Sequence, residues 1–164
     1  MVFGMSLATY TLIHVVISLV GIGSGLIVWL GMLGGKRMDG LTALFLITTV
    51  LTSLTGFGFP FDHLLPSHIV GIISLVTLAV AAAARYVFHL AGPWRWIYVA
   101  GAVVSLYFNV FVLIVQLFLK VPAIHALAPT QAEPPFAIVQ GAVLLLFVVL
   151  GILAAIRSRP LAMA

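Results

Sequence analysis

Five long apolar runs, with cations confined almost entirely to alternate gaps between them, set the limits on what this chain can fold into. Lys36 and Arg37 follow the first run, Arg85 and Arg95 bracket the gap after the third, and Arg157 and Arg159 follow the fifth. Of the seven Lys and Arg residues only Lys120 stands in another gap. Short loops rich in Lys and Arg are retained on the cytoplasmic side of a membrane. Five spans with the N-terminus outside and the C-terminus inside satisfy all three clusters.

The composition closes off other solvents. The chain is 64% hydrophobic and 6% charged, against about 25% charged for a soluble domain. The expected fold is all-α, a polytopic bundle of five transmembrane helices, with residues 1–164 forming a single domain. The net charge of +4 belongs to span ends, where it orients the chain and meets anionic headgroups, so nucleic acid is not an expected partner. The absence of cysteine excludes disulfides, thiolate-bound zinc, iron–sulfur clusters and thiol catalysis. The apolar N-terminus lacks a basic leader and runs on to Leu33, which reads as a retained first span.

The spans are expected at about 6–33, 41–59, 66–89, 94–121 and 135–156. Gly34-Gly35 and Pro60 close the first two. Pro66 suits the first turn of the third, Gly92-Pro93 precedes the fourth, and the longest loop runs from Pro122 to Pro135. Trp94, Trp96 and Tyr98 read as an interfacial aromatic belt. No repeat of span-pair length is visible, so an inverted-repeat transporter is unsupported.

Polar residues inside the spans fall on faces. Tyr98, Ser105, Asn109, Gln116 and Lys120 recur every four or seven residues and share one helix side. Amides facing lipid are costly, so this stripe should point inward. Tyr10, His14, Ser18, Gly21 and Gly25 form a similar face on the first span, with Gly21 and Gly25 as a GxxxG pair suited to close contact. Ser67, Gly71, Ser74, Ala81 and Arg85 are expected on one side of the third, with Arg85 snorkelling to the interface. Thr48, Thr49, Thr52 and Thr55 occupy more than one face of the second and are free to bond their own backbone.

Sorted by this topology, Asp62, His63, Ser67, His68, Lys120, His125, Thr130, Gln131 and Glu133 gather at the outer surface, with His14, Gln116 and Gln140 just below. The expectation is an outward-opening polar pocket among spans 1, 4 and 5, with His14, Asn109, Gln116, Lys120, Glu133 and Gln140 as ligand-binding candidates. A metal ion is a further expectation, with His14, Asp62, His63, His68, His125 and Glu133 as donors, although no HExxH or paired-ligand spacing supports it. A b-type haem would need two facing histidines, for which His14 and His68 are the available pair. Each of these residues also has a structural reading as an interhelical hydrogen bond or a solvated loop group. No nucleophile motif marks an enzyme; Ser67-His68 adjacency does not make a catalytic pair.

A set of local motifs carries a resemblance. Arg85-Tyr86-Val87-Phe88-His89-Leu90-Ala91-Gly92, Trp94-Arg95-Trp96-Ile97-Tyr98, Tyr107-Phe108-Asn109-Val110-Phe111-Val112, Lys120-Val121-Pro122 and Ala128-Pro129-Thr130-Gln131-Ala132-Glu133-Pro134-Pro135-Phe136 stand in order, with Thr55-Gly56-Phe57 and Phe59-Pro60-Phe61 before them. Together they resemble a family of small bacterial integral membrane proteins without an assigned activity. The resemblance implies a bacterial cytoplasmic (inner) membrane location and transfers no catalytic residue. The functional expectations are therefore a ligand- or metal-binding membrane protein, an accessory subunit of a larger membrane complex or a homo-oligomer, or a haem- or proton-handling redox protein.

Overall fold

A computed structural model describes residues 2–61 and 66–157. The described residues are helical with no strand, and five helices are long and apolar enough to cross a membrane. They are α1 (Leu7–Leu33), α2 (Asp39–Gly56), α3 (Pro66–Ala82) continued by a π-helical turn to Val87, α4 (Trp94–Lys120) and α6 (Pro134–Arg157), with a one-turn helix α5 (Pro122–His125) after α4.

Local chemistry explains most of the ends. The Ser6 hydroxyl accepts the Thr9 N–H at 3.1 Å and caps α1. Gly35 takes a left-handed φ of 67°, which lets the Lys36 N–H reach back to the Gly31 carbonyl at 2.8 Å. Asp39 opens α2, where a carboxylate suits the positive helix end. α2 stops at Gly56, short of the expected 59, because Phe57 and Gly58 tighten into i→i−3 bonds before Pro60. The chain reverses between α3 and α4 through left-handed His89, Leu90 and Gly92, with the Phe88 ring stacked on Trp94 at 3.7 Å.

α4 is the axis of the bundle and touches each of the other spans. Leu106 meets α1 at Gly25, Asn109 meets α2 at Thr49, Gly101 meets α3 at Ala81, and Val103 meets α6 at Gly151. Gly21 lies against Thr48 and Thr49. The GxxxG pair thus serves contacts within the chain, because each glycine lets a neighbouring helix close in. α6 packs on α4 and α1, through Phe147 stacked on Trp29 at 4.4 Å and edge-on to Tyr107 at 5.6 Å.

On α3, Ser67 is exposed and His68 takes the buried position beside Gly71 and Ser74. Ser67 is only about 20° around the helix from Ser74, so it keeps the expected side and is exposed because it stands in the first turn of α3. The expectation for Arg85 is corrected: it does not snorkel. Residues Ala83–Val87 form a π-helical turn, whose slower rotation keeps Arg85 in line with the buried Ala81. The Arg85 side chain is only 9% exposed and pairs with Asp39 at the start of α2. Its guanidinium also lies over the Tyr98 ring at 5.2 Å.

Candidate functional site

At the end of the bundle opposite that ion pair, α1, α2 and α4 enclose a polar seam. Tyr10 donates its hydroxyl to the Thr55 carbonyl at 2.7 Å. One turn deeper, His14 Nδ1 lies 2.7 Å from the Thr55 hydroxyl, and Phe59 stands edge-on to the His14 ring at 5.2 Å. Asn109 Nδ2 donates to the Thr49 hydroxyl at 3.3 Å. α2 and α4 both start at the Arg-rich end and run the same way. Seven residues on from Asn109 and Thr49, Gln116 and Gly56 fall on the same sides of their own helices as those two, within about 20°. The His14 Cε1 atom lies over Gly56, 4.0 Å from where a Cβ would sit. Lys120 stands one turn above Gln116 and is exposed.

Gln116 Oε1 and Thr52 Oγ1 are enclosed and have no hydrogen-bond partner among the described residues, and the same holds for Gln140 Oε1. Thr52 lies about 60° around α2 from each of the positions Thr49 and Thr55, between the α4-facing and α1-facing sides. Buried polar groups are normally satisfied by protein, water or ligand.

The other candidates stand elsewhere. Gln140 Nε2 donates to the Phe111 carbonyl at 3.2 Å, and Phe111 is about 200° around α4 from Asn109. Gln140 and Gln116 are thus on opposite sides of α4, and the wall completing the seam is α2 rather than the fifth span. The expectation misplaced Gln140 because depth can be read from one helix whereas the neighbour it faces cannot. His125 has a structural task. The Phe118 carbonyl would bond the N–H four residues on, but that residue is Pro122, which has none; His125 Nδ1 donates to it at 2.9 Å. Gln131 Nε2 donates to the Val115 carbonyl at 2.9 Å, folding the loop onto α4. Glu133 accepts the Thr130 hydroxyl at 2.9 Å and its N–H at 3.3 Å. Partial desolvation raises its pKa, but these bonds and one from its own backbone N–H outweigh that and hold the carboxyl below its usual range.

Among the described residues no three His, Asp or Glu side chains converge as a metal site; Asp62 and His63 lie outside those residues. His68 packs on Phe57 and Phe61 at 5.5 and 4.3 Å. Phe57 and Thr55 are about 200° apart on α2, so His68 and His14 lie on opposite sides of that helix and do not face each other as a haem pair. The residues missed from sequence are the threonines. Thr49 and Thr55 hold Asn109 and His14, and the seven-residue repeat Thr42, Thr49, Gly56 was the available signal for a face turned to α4.

Gly58 tests the local geometry. A Cβ there would overlap the Tyr10 hydroxyl, so Gly58→Ala must push Tyr10 off the Thr55 carbonyl. The expected cost is about 1–3 kcal/mol, and Tyr10→Phe should remove part of that difference in a double-mutant cycle, the ring carbon Cζ remaining 2.8 Å from the added Cβ. Comparison with protein-family models, with curated protein sequences and with solved structures returned no match.

Proposed function

We propose that this is a multi-pass protein of the bacterial cytoplasmic membrane, N-terminus outside and C-terminus inside, that binds a small polar ligand in the outward-facing seam between α1, α2 and α4. The observation carrying this reading is the enclosed, unpaired Gln116 carbonyl oxygen on the side of α4 that meets α2 at Asn109, with Lys120 exposed one turn further on. An unsatisfied amide within a membrane protein costs several kcal/mol relative to a paired one, and a ligand supplying a donor recovers that cost. The placement of Lys36, Arg37, Arg85, Arg95 and Arg157 at one end of the bundle supports the orientation.

Native mass spectrometry of protein extracted with its lipids tests the binding. Wild type is expected to retain a small-molecule adduct that Gln116→Leu loses. The variant, freed of an unpaired buried carbonyl, should be as stable as ligand-free wild type or about 1 kcal/mol more so. A wild type without an adduct, together with a stabilised Gln116→Leu, would reduce the seam to helix packing. Co-purification of a stoichiometric protein partner would favour the accessory-subunit reading. Orientation is checked separately. Because the chain has no cysteine, single cysteines at Lys36 and Thr130 can be labelled in intact cells with an impermeant maleimide; only the Thr130 position should react.

A further inference from the structure

The hydrogen-bond directions in the seam define the ligand more narrowly, an inference that rests on the binding reading above. The Thr55 hydroxyl has one proton, and it is given to the Leu51 carbonyl at 2.7 Å, with a weaker approach to the Thr52 carbonyl at 3.2 Å. Toward His14 the Thr55 oxygen can therefore only accept. His14 Nδ1 carries the proton, and in the neutral imidazole Nε2 is left as a bare acceptor. Gln116 Oε1 is a second unpaired acceptor, and Thr52 Oγ1 offers a third acceptor with one proton of its own. The buried part of the seam is thus rich in acceptors. The mouth differs, because Lys120 provides three donors and a positive charge about 6 Å further along α4 than Gln116. Among the described residues no carboxylate pairs with Lys120; Glu133 is turned back on Thr130.

We propose that the seam binds a small carboxylate bearing a hydroxyl or amino donor, its anionic end at Lys120 and its donor end on Gln116 Oε1 and His14 Nε2. The tight approach of α1 to α2 and α4 at Gly21 and Gly25 closes the seam below Asn109 and limits the ligand to a few heavy atoms. A cavity of about 10 Å³ beneath, lined by Val28, Trp29, Phe45 and Leu106 among others, is apolar and too small for such a molecule.

Equilibrium binding to full-length protein in lipid nanodiscs tests this with four probes: glycolate and glycine, which carry donor and carboxylate, acetate, which lacks the donor, and ethylene glycol, which lacks the charge. Glycolate or glycine should bind at least ~10-fold more tightly than acetate or ethylene glycol, since each missing partner strands a buried or charged group. Lys120→Gln, at an exposed position, should weaken glycolate or glycine ~10-fold or more and leave ethylene glycol unchanged. Gln116→Leu should bring the donor-bearing probes down to the acetate level. Acetate binding as tightly as glycolate and glycine would overturn the donor requirement, and an unaffected Lys120→Gln would overturn the anion requirement. If no probe binds while native wild type still carries an adduct that Gln116→Leu loses, the ligand class is wrong and the binding reading stands. If the adduct is missing too, both fall.

Discussion

Replacing Gly25 by leucine should prevent the bundle from assembling, the largest effect expected from a single substitution here. A Cβ at this position would lie 2.7 Å from Leu106 Cδ1 and 2.7 Å from a Phe45 ring carbon. Phe45 and Leu106 are each 1% exposed, and the cavity of about 10 Å³ that they line has room for less than a leucine side chain. Gly25→Ala alone should cost about 2–3 kcal/mol, in the upper range for overpacking a dense interior. Leucine adds three more carbons at the point where α1, α2 and α4 meet, and should separate α1 from both. Gly23 is the control. It lies two residues away on the same helix, is exposed, and a Cβ there meets nothing within 4 Å. Gly23→Ala should be neutral or stabilising by up to about 1 kcal/mol through helix propensity. Titration of helicity with sodium dodecyl sulfate in mixed micelles measures both. Equal effects at Gly23 and Gly25 would show that the interface is not where the contacts put it.

The second large effect concerns Asp39 and Arg85. Arg85 is enclosed, but Asp39 keeps 68% of its side chain exposed. Breaking a fully buried pair costs 3–5 kcal/mol. With one partner in solvent the expected cost of Asp39→Asn is smaller, about 1–2 kcal/mol. Asp39→Arg should cost more, because it sets a third cation beside Arg85 and Arg37. The double variant Asp39→Arg/Arg85→Asp should recover part of the loss, and that recovery is the coupling energy of the pair. Arg37, 56% exposed and 3.5 Å from the same carboxylate, should show almost no coupling at 0.5 M salt, where exposed pairs are screened within about 4–5 Å. The Arg85 coupling should survive that salt. If it vanishes with the Arg37 coupling, Arg85 is solvated and the π turn does not bury it.

Much of the architecture was legible in the residues. Each span was found by its apolar run, and of the α4 stripe Tyr98 and Ser105 are buried and Asn109 and Gln116 half-buried, while Lys120 at its end is exposed. The face of α1 carrying Tyr10, Gly21 and Gly25 is likewise the buried one. Periodicity is a property of one helix, so one helix suffices to read it. Arg85 kept the side it shares with Ala81, and the expectation that failed was snorkelling, because its guanidinium is enclosed against Asp39 and the Tyr98 ring. His125 was read as a possible ligand because its bond to the Phe118 carbonyl depends on a loop folding back over Pro122.

The partners of each face were a separate matter. Nothing in α4 alone says that Gln116 looks at α2 while the side bearing Phe111 meets Gln140 of α6. Apolarity, span length and charge placement are sums over local sequence, and they alone determined that this chain carries five helices long and apolar enough to cross a membrane, with polar faces turned toward the bundle. Which stripes meet was decided by the packing of Gly21, Gly25, Gly101 and Gly151 against their neighbours. Close approach between helices depends on the shapes of two surfaces at once, and neither surface contains the other.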